Sequence, residues 1–308
     1  MDDLSYQYKY NHARGPSHDD CVCAGYRWAA DAPMVDDLTE SSVLRIRGGQ
    51  VERMLRVAGI VTGVWRSPAG VVFASLIDGR LFWRPQDDVG APWHEHDTGG
   101  SLSFVWGLRE DLVFAGGLRA GRPVMFRADG RDPTHTAWTE VACDGHPTCV
   151  HGVHEDLLFA VGYDGFIGRW NGTAFRALGS PVQAPLASVH VVDAGEAHAC
   201  GPRGHVLEGS AHGWVERLVA PHPFSAVRKW GGKLWLAAAD DGLMTLGDDD
   251  ALEVARDDIR ARSLDAGERL LAAAPDRVTS TADGATFAGW AVDGLVNALA
   301  GTRPAWRM

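Results

Sequence analysis

Five cysteines in 308 residues, at positions 21, 23, 143, 149 and 200, are an odd number and no basis for a disulfide framework. Cys21 and Cys23 are separated by a single residue, too tight for an easy mutual bridge. No run approaches eighteen apolar residues, which excludes a membrane-spanning helix. The opening residues, MDDLSYQYKYNHARGPSHDD, lack the apolar stretch of a secretory leader. Together these gaps point to thiols in a reducing cytoplasm and make Asn171-Gly172-Thr173 a turn rather than a glycan acceptor. Basic charge is also short. A net charge of −11 argues against a nucleic-acid surface, which needs clustered Lys and Arg for phosphates. The chain has no Walker A loop, no Gly-x-Ser-x-Gly elbow and no His-Glu-x-x-His pair. The acidic stretch 247–260 lacks the spaced ligands of a calcium loop and reads as a solvated loop or outer-strand segment. No cofactor is implied.

What is abundant is glycine, 37 residues, together with 12 tryptophans, a pairing that favours short strands joined by tight turns. The chain also repeats itself. VVFASLIDGRLFWR (71–84), LLFAVGYDGFIGRW (157–170), AHACGPRGHVLEG (197–209) and LWLAAADDGLMTLG (234–247) align as an apolar run, a turn and a second run. Gly165 to Gly204 is 39 positions and Gly204 to Gly242 is 38, so the period is near forty. Segments 112–127 and 270–282 are less regular copies. The runs are continuously apolar, as expected for strands covered on both faces. A further strand precedes each run (SFVWGL, CVHGVH, ASVHVV, SAVRKW), and another follows it, often opening on an aromatic residue. Four strands in about forty residues is the pattern of a β-propeller blade. Aspartates 78, 164 and 241 share the turn column, where Asp-Gly turn chemistry accounts for them.

The layout over 41–308 resembles the broad class of seven-bladed propellers of WD40 and YVTN type, although no Trp-Asp pair ends the third strands. STADGATF (280–287) is similar to the Asp-box turn of sialidase-like and photosystem-assembly-factor-like propellers. Thr281, Asp283, Gly284, Thr286 and Phe287 match it in type, but with Asp and Gly adjacent. The outer strand pair occurs seven times when 43–55 is included, so an all-β fold of seven four-stranded blades is expected, with six or eight blades as the alternatives. VLRIRGGQVERML (43–55) would supply outer strands, and VNALAGTRPAWRM (296–308) would close the ring as their inner partners. Residues 1–40 are expected to form a partly irregular arm before a single propeller domain, 41–308.

CDGHPTCVHGVH (143–154) gathers two cysteines and three histidines, and zinc needs three or four converging ligands. The repeat divides this stretch. Cys143, His146 and Cys149 flank an inter-blade turn and are the candidate ligands, while His151 and His154 lie on the next strand; no metal is expected. His94 and His96 could share one strand face but lack a third ligand.

The repeat also aligns Trp106, His151, His190 and Arg228 in one column on the inner strands, the candidate lining of a central opening. With no catalytic signature, the expected function is non-catalytic binding of a protein partner through the rim or this opening. The acidity suits a basic partner, for example a toxin neutralised by an immunity-type protein. The alternatives are a hydrolase or lyase acting on sugars or lactones at the channel mouth, and a carbohydrate-binding lectin. The expected state is a monomer.

Overall fold

The computed structural model describes residues 6–29, 39–85, 90–129 and 137–295. Among them, twenty-eight strands fall into antiparallel units of four. Unit one is β1 (Tyr6–Ser17), β2 (Asp20–Ala29), β3 (Glu40–Arg47) and β4 (Gln50–Ala58). Unit two is β5 (Val61–Arg66), β6 (Val72–Leu76), β7 (Arg80–Arg84) and β8 (His94–Asp97). Unit three is β9 (Ser101–Arg109), β10 (Leu112–Arg119), β11 (Arg122–Asp129) and β12 (Ala137–Cys143). Unit four is β13 (Pro147–His154), β14 (Leu157–Gly162), β15 (Ile167–Trp170) and β16 (Ala174–Ala177). Unit five is β17 (Ser188–Val191), β18 (Ala197–Cys200), β19 (His205–Ser210) and β20 (Gly213–Val219). Unit six is β21 (Ala226–Trp230), β22 (Lys233–Ala237), β23 (Leu243–Leu246) and β24 (Leu252–Arg256). The last unit is β25 (Ser263–Ala266), β26 (Leu270–Ala274), β27 (Arg277–Thr281) and β28 (Phe287–Ala291). The chain is an all-β propeller.

The first strands of successive units touch one another, and β1 lies against both β5 and β25, so first strands are innermost. The apolar second strands are sealed on both faces: every residue of β6 and of β26 is buried. The core is therefore a series of layers between units rather than one central mass. Phe114 joins Trp170 and Phe175 between units three and four; Phe159 joins Leu207 and Trp214 between units four and five. Another layer packs Tyr10, Cys21 and Leu44 of unit one on Leu271 and Val278 of the last unit. Units three and four are further joined by parallel pairing of β12 with β16.

The recurring turn between second and third strands has a steric cause. Gly79, Gly165, Gly204 and Gly242 all hold positive φ, between +69° and +96°. At each, an added Cβ would overlap a backbone carbonyl of the segment leading to the next unit. The aspartates beside them act locally or on neighbouring turns: Asp78 binds Arg80, and Asp241 binds His222 at 2.9 Å. The 281–286 turn is also self-contained, since the Asp283 carboxylate accepts from the amides of Ala285 and Thr286.

Residues 6–29, expected as part of an arm, are instead β1 and β2. β2 pairs with β3 from Asp20↔Arg47 to Arg27↔Glu40, filling the place expected for the C-terminal segment. Residues 296–308 lie outside the described residues. β1 reads as polar because an innermost strand meets few apolar neighbours on its axial side, and it carries His12 and Arg14 there. The acidic stretch 247–260 contains β24, the outer strand of unit six. The five cysteines are unpaired thiols. Among the described residues no helix is long and apolar enough to cross a membrane.

Candidate functional site

The four column residues lie on four successive inner strands and are brought together. Cα pairing sets Trp106 opposite Phe114, His151 opposite Phe159, His190 opposite His198 and Arg228 opposite Trp235. The Trp106 and His151 ring centroids are 5.5 Å apart, and those of His151 and His190 are 4.7 Å apart. His151 Nδ1 accepts from the Val191 amide at 3.1 Å, so its other ring nitrogen carries the proton when the ring is neutral. Arg228 Nη1 reaches the carbonyl of Val227 at 2.6 Å and, at 3.4 Å, the carbonyl of Val189 and the hydroxyl of Ser188. Arg228 and His190 are 3% and 9% exposed, and Trp106 is buried, so most of the set is packed around the axis.

Sequence reasoning missed three members of this set. Trp65 stands opposite Phe73 and Asp265 opposite Leu271, in the same register. The signal was present for Trp65, which precedes its aromatic partner by eight positions, as do Trp106 and His151. Arg14, on β1, donates to the carbonyl of Leu264 at 3.1 Å, and the neighbouring Gly15 amide donates to Asp265 Oδ2 at 3.2 Å. The expectation of an arm hid it.

Burial dominates the titration of this centre. It pushes His190 down to about 3, with Arg228 and then His198 adding repulsion. His12 falls to about 4 through burial and then Arg14, and His151 falls well below the ordinary range for the same kinds of reason. A histidine neutral in the fold but protonated near 6.5 in the unfolded chain gives stability that is complete above pH 6.5. That stability is lost as pH falls towards the folded value. His190→Asn is therefore expected to flatten the acid limb of unfolding free energy between pH 4 and 6 by about one proton, about 1.4 kcal/mol per pH unit. Urea titrations across that window measure the slope, and an unchanged slope would refute the assignment.

The candidate metal ligands do not converge. The Cys143 thiol contacts the carbonyl of Gly145 at 3.2 Å and is pushed up to about 11, chiefly by burial. The His146 ring stacks on Tyr163 with centroids 4.4 Å apart, while Cys149 packs into the layer between units four and five. Among the described residues no three His, Cys, Asp or Glu side chains form a metal-holding group. His94 stacks on Trp83, at 5.3 Å.

A second feature lies at the end of the propeller where first-to-second and third-to-fourth strand turns emerge. Turns of neighbouring units meet there: Arg109 binds Glu155 at 2.8 Å. On units five to seven this end has two clefts. One, about 490 Å³, is lined by Glu196, Val215, Arg217, Lys229, Asp248 and Asp250. The other, about 590 Å³, includes Trp230, Lys233, Trp235, Glu253 and Asp283. Val215 is 63% exposed, unusual for a large apolar side chain. The turn amides and Thr281 hold Asp283 ionised, with a pKa of about 2.

No family model matches the chain, and no curated protein matches it in sequence. Solved structures do. Sqt1 from Chaetomium thermophilum superposes with a TM-score of 0.62 at 12% identity, covering 90% of this chain and 83% of that one. A chain of the Mitotic Checkpoint Complex gives 0.62 at 15% identity, covering 86% and 83%. Sqt1 from Saccharomyces cerevisiae gives 0.59 at 11%, covering 92% and 84%. What these proteins share with this chain is a WD40-like β-propeller fold.

Proposed function

We propose that the chain is a non-catalytic, seven-bladed propeller, folded as a single domain, that binds a basic protein partner at the turn end of units five to seven. The observation that carries this reading is the meeting of exposed apolar and unpaired acidic groups on one face. Val215 is exposed and lines the smaller cleft, and Trp230 lines the larger one. Asp193, Asp248, Asp249 and Glu268 project from turns at this end, and none has an ion-pair partner among the described residues. Apolar anchors rimmed by polar groups are how protein interfaces are built, with Trp a common anchor. One similar structure is a chain of a Mitotic Checkpoint Complex, a multiprotein assembly by its name. A toxin neutralised by this chain would be one partner of the required charge.

Catalysis and sugar binding have less support. Asp265 is the one carboxylate among the axial residues described above, whereas glycoside hydrolysis uses a facing pair. Trp235 is buried and offers no open ring face for stacking on a sugar.

Capture of partners from the native cell by the tagged protein tests the reading. The triple variant D193K/D248K/E268K is expected to reduce recovery of the specific partner about tenfold or more. The variant D164K/D257K, altered at the opposite end, should leave it within about twofold. The reverse ordering, or equal recovery by both variants, would overturn the docking face.

A further inference from the structure

We propose that the axial cluster on the inner strands is a binding site for a small oxyanion, a phosphate or carboxylate group, held between Arg14 and Arg228. This does not depend on the docking reading, which concerns a different face.

The argument begins with unbalanced charge. Two guanidiniums face the axis, from β1 and β21, and every partner of either is neutral. Arg14 donates to the carbonyls of Ala13 and Leu264, and Arg228 to Ser188, Val189 and Val227. Among the described residues neither forms an ion pair with a carboxylate. The one nearby acid, Asp265, accepts from the Gly15 amide, leaving one negative charge for two positive ones. A buried charge is costly unless it is compensated, and a guanidinium suits a planar or tetrahedral oxyanion by its forked donors.

Two buried polar atoms point the same way. Arg228 Nε and His190 Nδ1 are buried without a hydrogen-bond partner. Native structures rarely leave such atoms unmatched, and a ligand is one common reason for an exception. Arg14 repels Arg228 strongly enough to add to the lowering of its pKa by burial, and the same two arginines are felt by His151. Beyond burial, which disfavours charge of either sign, the two arginines add repulsion at His12, His151 and His190, and an anion seated between them would offset that repulsion. Access exists as well. His12, Arg14, His151 and Asp265 are only half-buried, whereas Arg228 and His190 lie deeper.

The test is thermal unfolding of the whole chain titrated with sodium phosphate and, separately, sodium succinate. Sodium chloride at matched ionic strength is the control. A saturable rise in Tm with one or both anions, beyond that in chloride, is expected. Response to phosphate alone identifies a phosphate site, response to succinate alone a carboxylate site, and response to both the shared chemistry. R14Q, at the half-buried position, should weaken the apparent affinity about tenfold or more, while R269Q on the exposed surface should not change it. R228Q should abolish the response if it folds, and R14Q carries the test if it does not. Absence of any saturable response beyond chloride, or a wild-type response from R14Q, would overturn the proposal.

Discussion

Gly204→Ala is expected to destabilise the fold by about 3 kcal/mol or more, a large share of a typical domain's stability. Two costs combine at this position. The backbone holds φ at +84°, where an L side chain is strained by about 1–2 kcal/mol. The new Cβ would also overlap the carbonyl oxygen of Ala220, which cannot move freely. The Ala220 amide donates to the Gly204 carbonyl at 3.0 Å, so the overlap falls on the hydrogen-bonded link between units five and six. Two glycines separate the costs. Gly172 has φ +95° with open space around it, so Gly172→Ala should cost about 1 kcal/mol. Gly179 has neither a positive φ nor a close neighbour, and Gly179→Ala should stay within about 0.5 kcal/mol. Urea unfolding of the three variants gives the comparison. A Gly204→Ala cost no larger than that of Gly172→Ala would show that the link yields.

Phe114→Ala is expected to cost about 4 kcal/mol. Phe114 is fully buried on β10, and its ring meets Trp170 at 5.1 Å and Phe175 at 5.2 Å, edge-on to both. Both partners belong to the next unit, so the substitution empties a layer between units rather than the interior of one. Such edge-to-face pairs add about 0.5–1.5 kcal/mol each beyond burial. Phe114→Leu, which keeps most of the volume, should cost about 1.5 kcal/mol. The check is a lower urea midpoint at unchanged slope. A loss below about 1 kcal/mol would mean that the two units close the gap by sliding together.

Gly204 and the apolar run that holds Phe114 are legible in the sequence for the same reason. In units two, four, five and six the second strands are buried on both faces and the turn after them needs a glycine, so the apolar run and the turn recur, as in 157–170 and 234–247. Edges and axis carry no such constraint. β24 reads LEVAR because an outer strand has one face in water, and its pattern is lost among neighbouring acids. β1 reads YQYKYNHARGPS because an inner strand meets polar groups across the axis. The column of Trp106, His151, His190 and Arg228 was found through register with the apolar runs rather than through its own chemistry. Arg14 belongs to the same cluster but had no aligned copy to reveal it. The docking face was hidden for a different reason. Val215, Trp230 and Glu268 come from separate turns and strands, and only the propeller brings them to one end.

The placement of β1 has a consequence for how the chain is made. Arg14 contacts Leu264, and His18 contacts Ser280, across 250 and 262 positions. β1 therefore receives its last neighbours only when β25 to β27, some 250 positions later, have been synthesised. Until then the Tyr10, Cys21 and Leu44 side of unit one has no cover. Its apolar groups are exposed while the intervening units are synthesised, an interval in which an elongating β-protein is prone to wrong association. A strand written in Tyr, Lys, His and Arg bears that wait better than one written in Val and Ile.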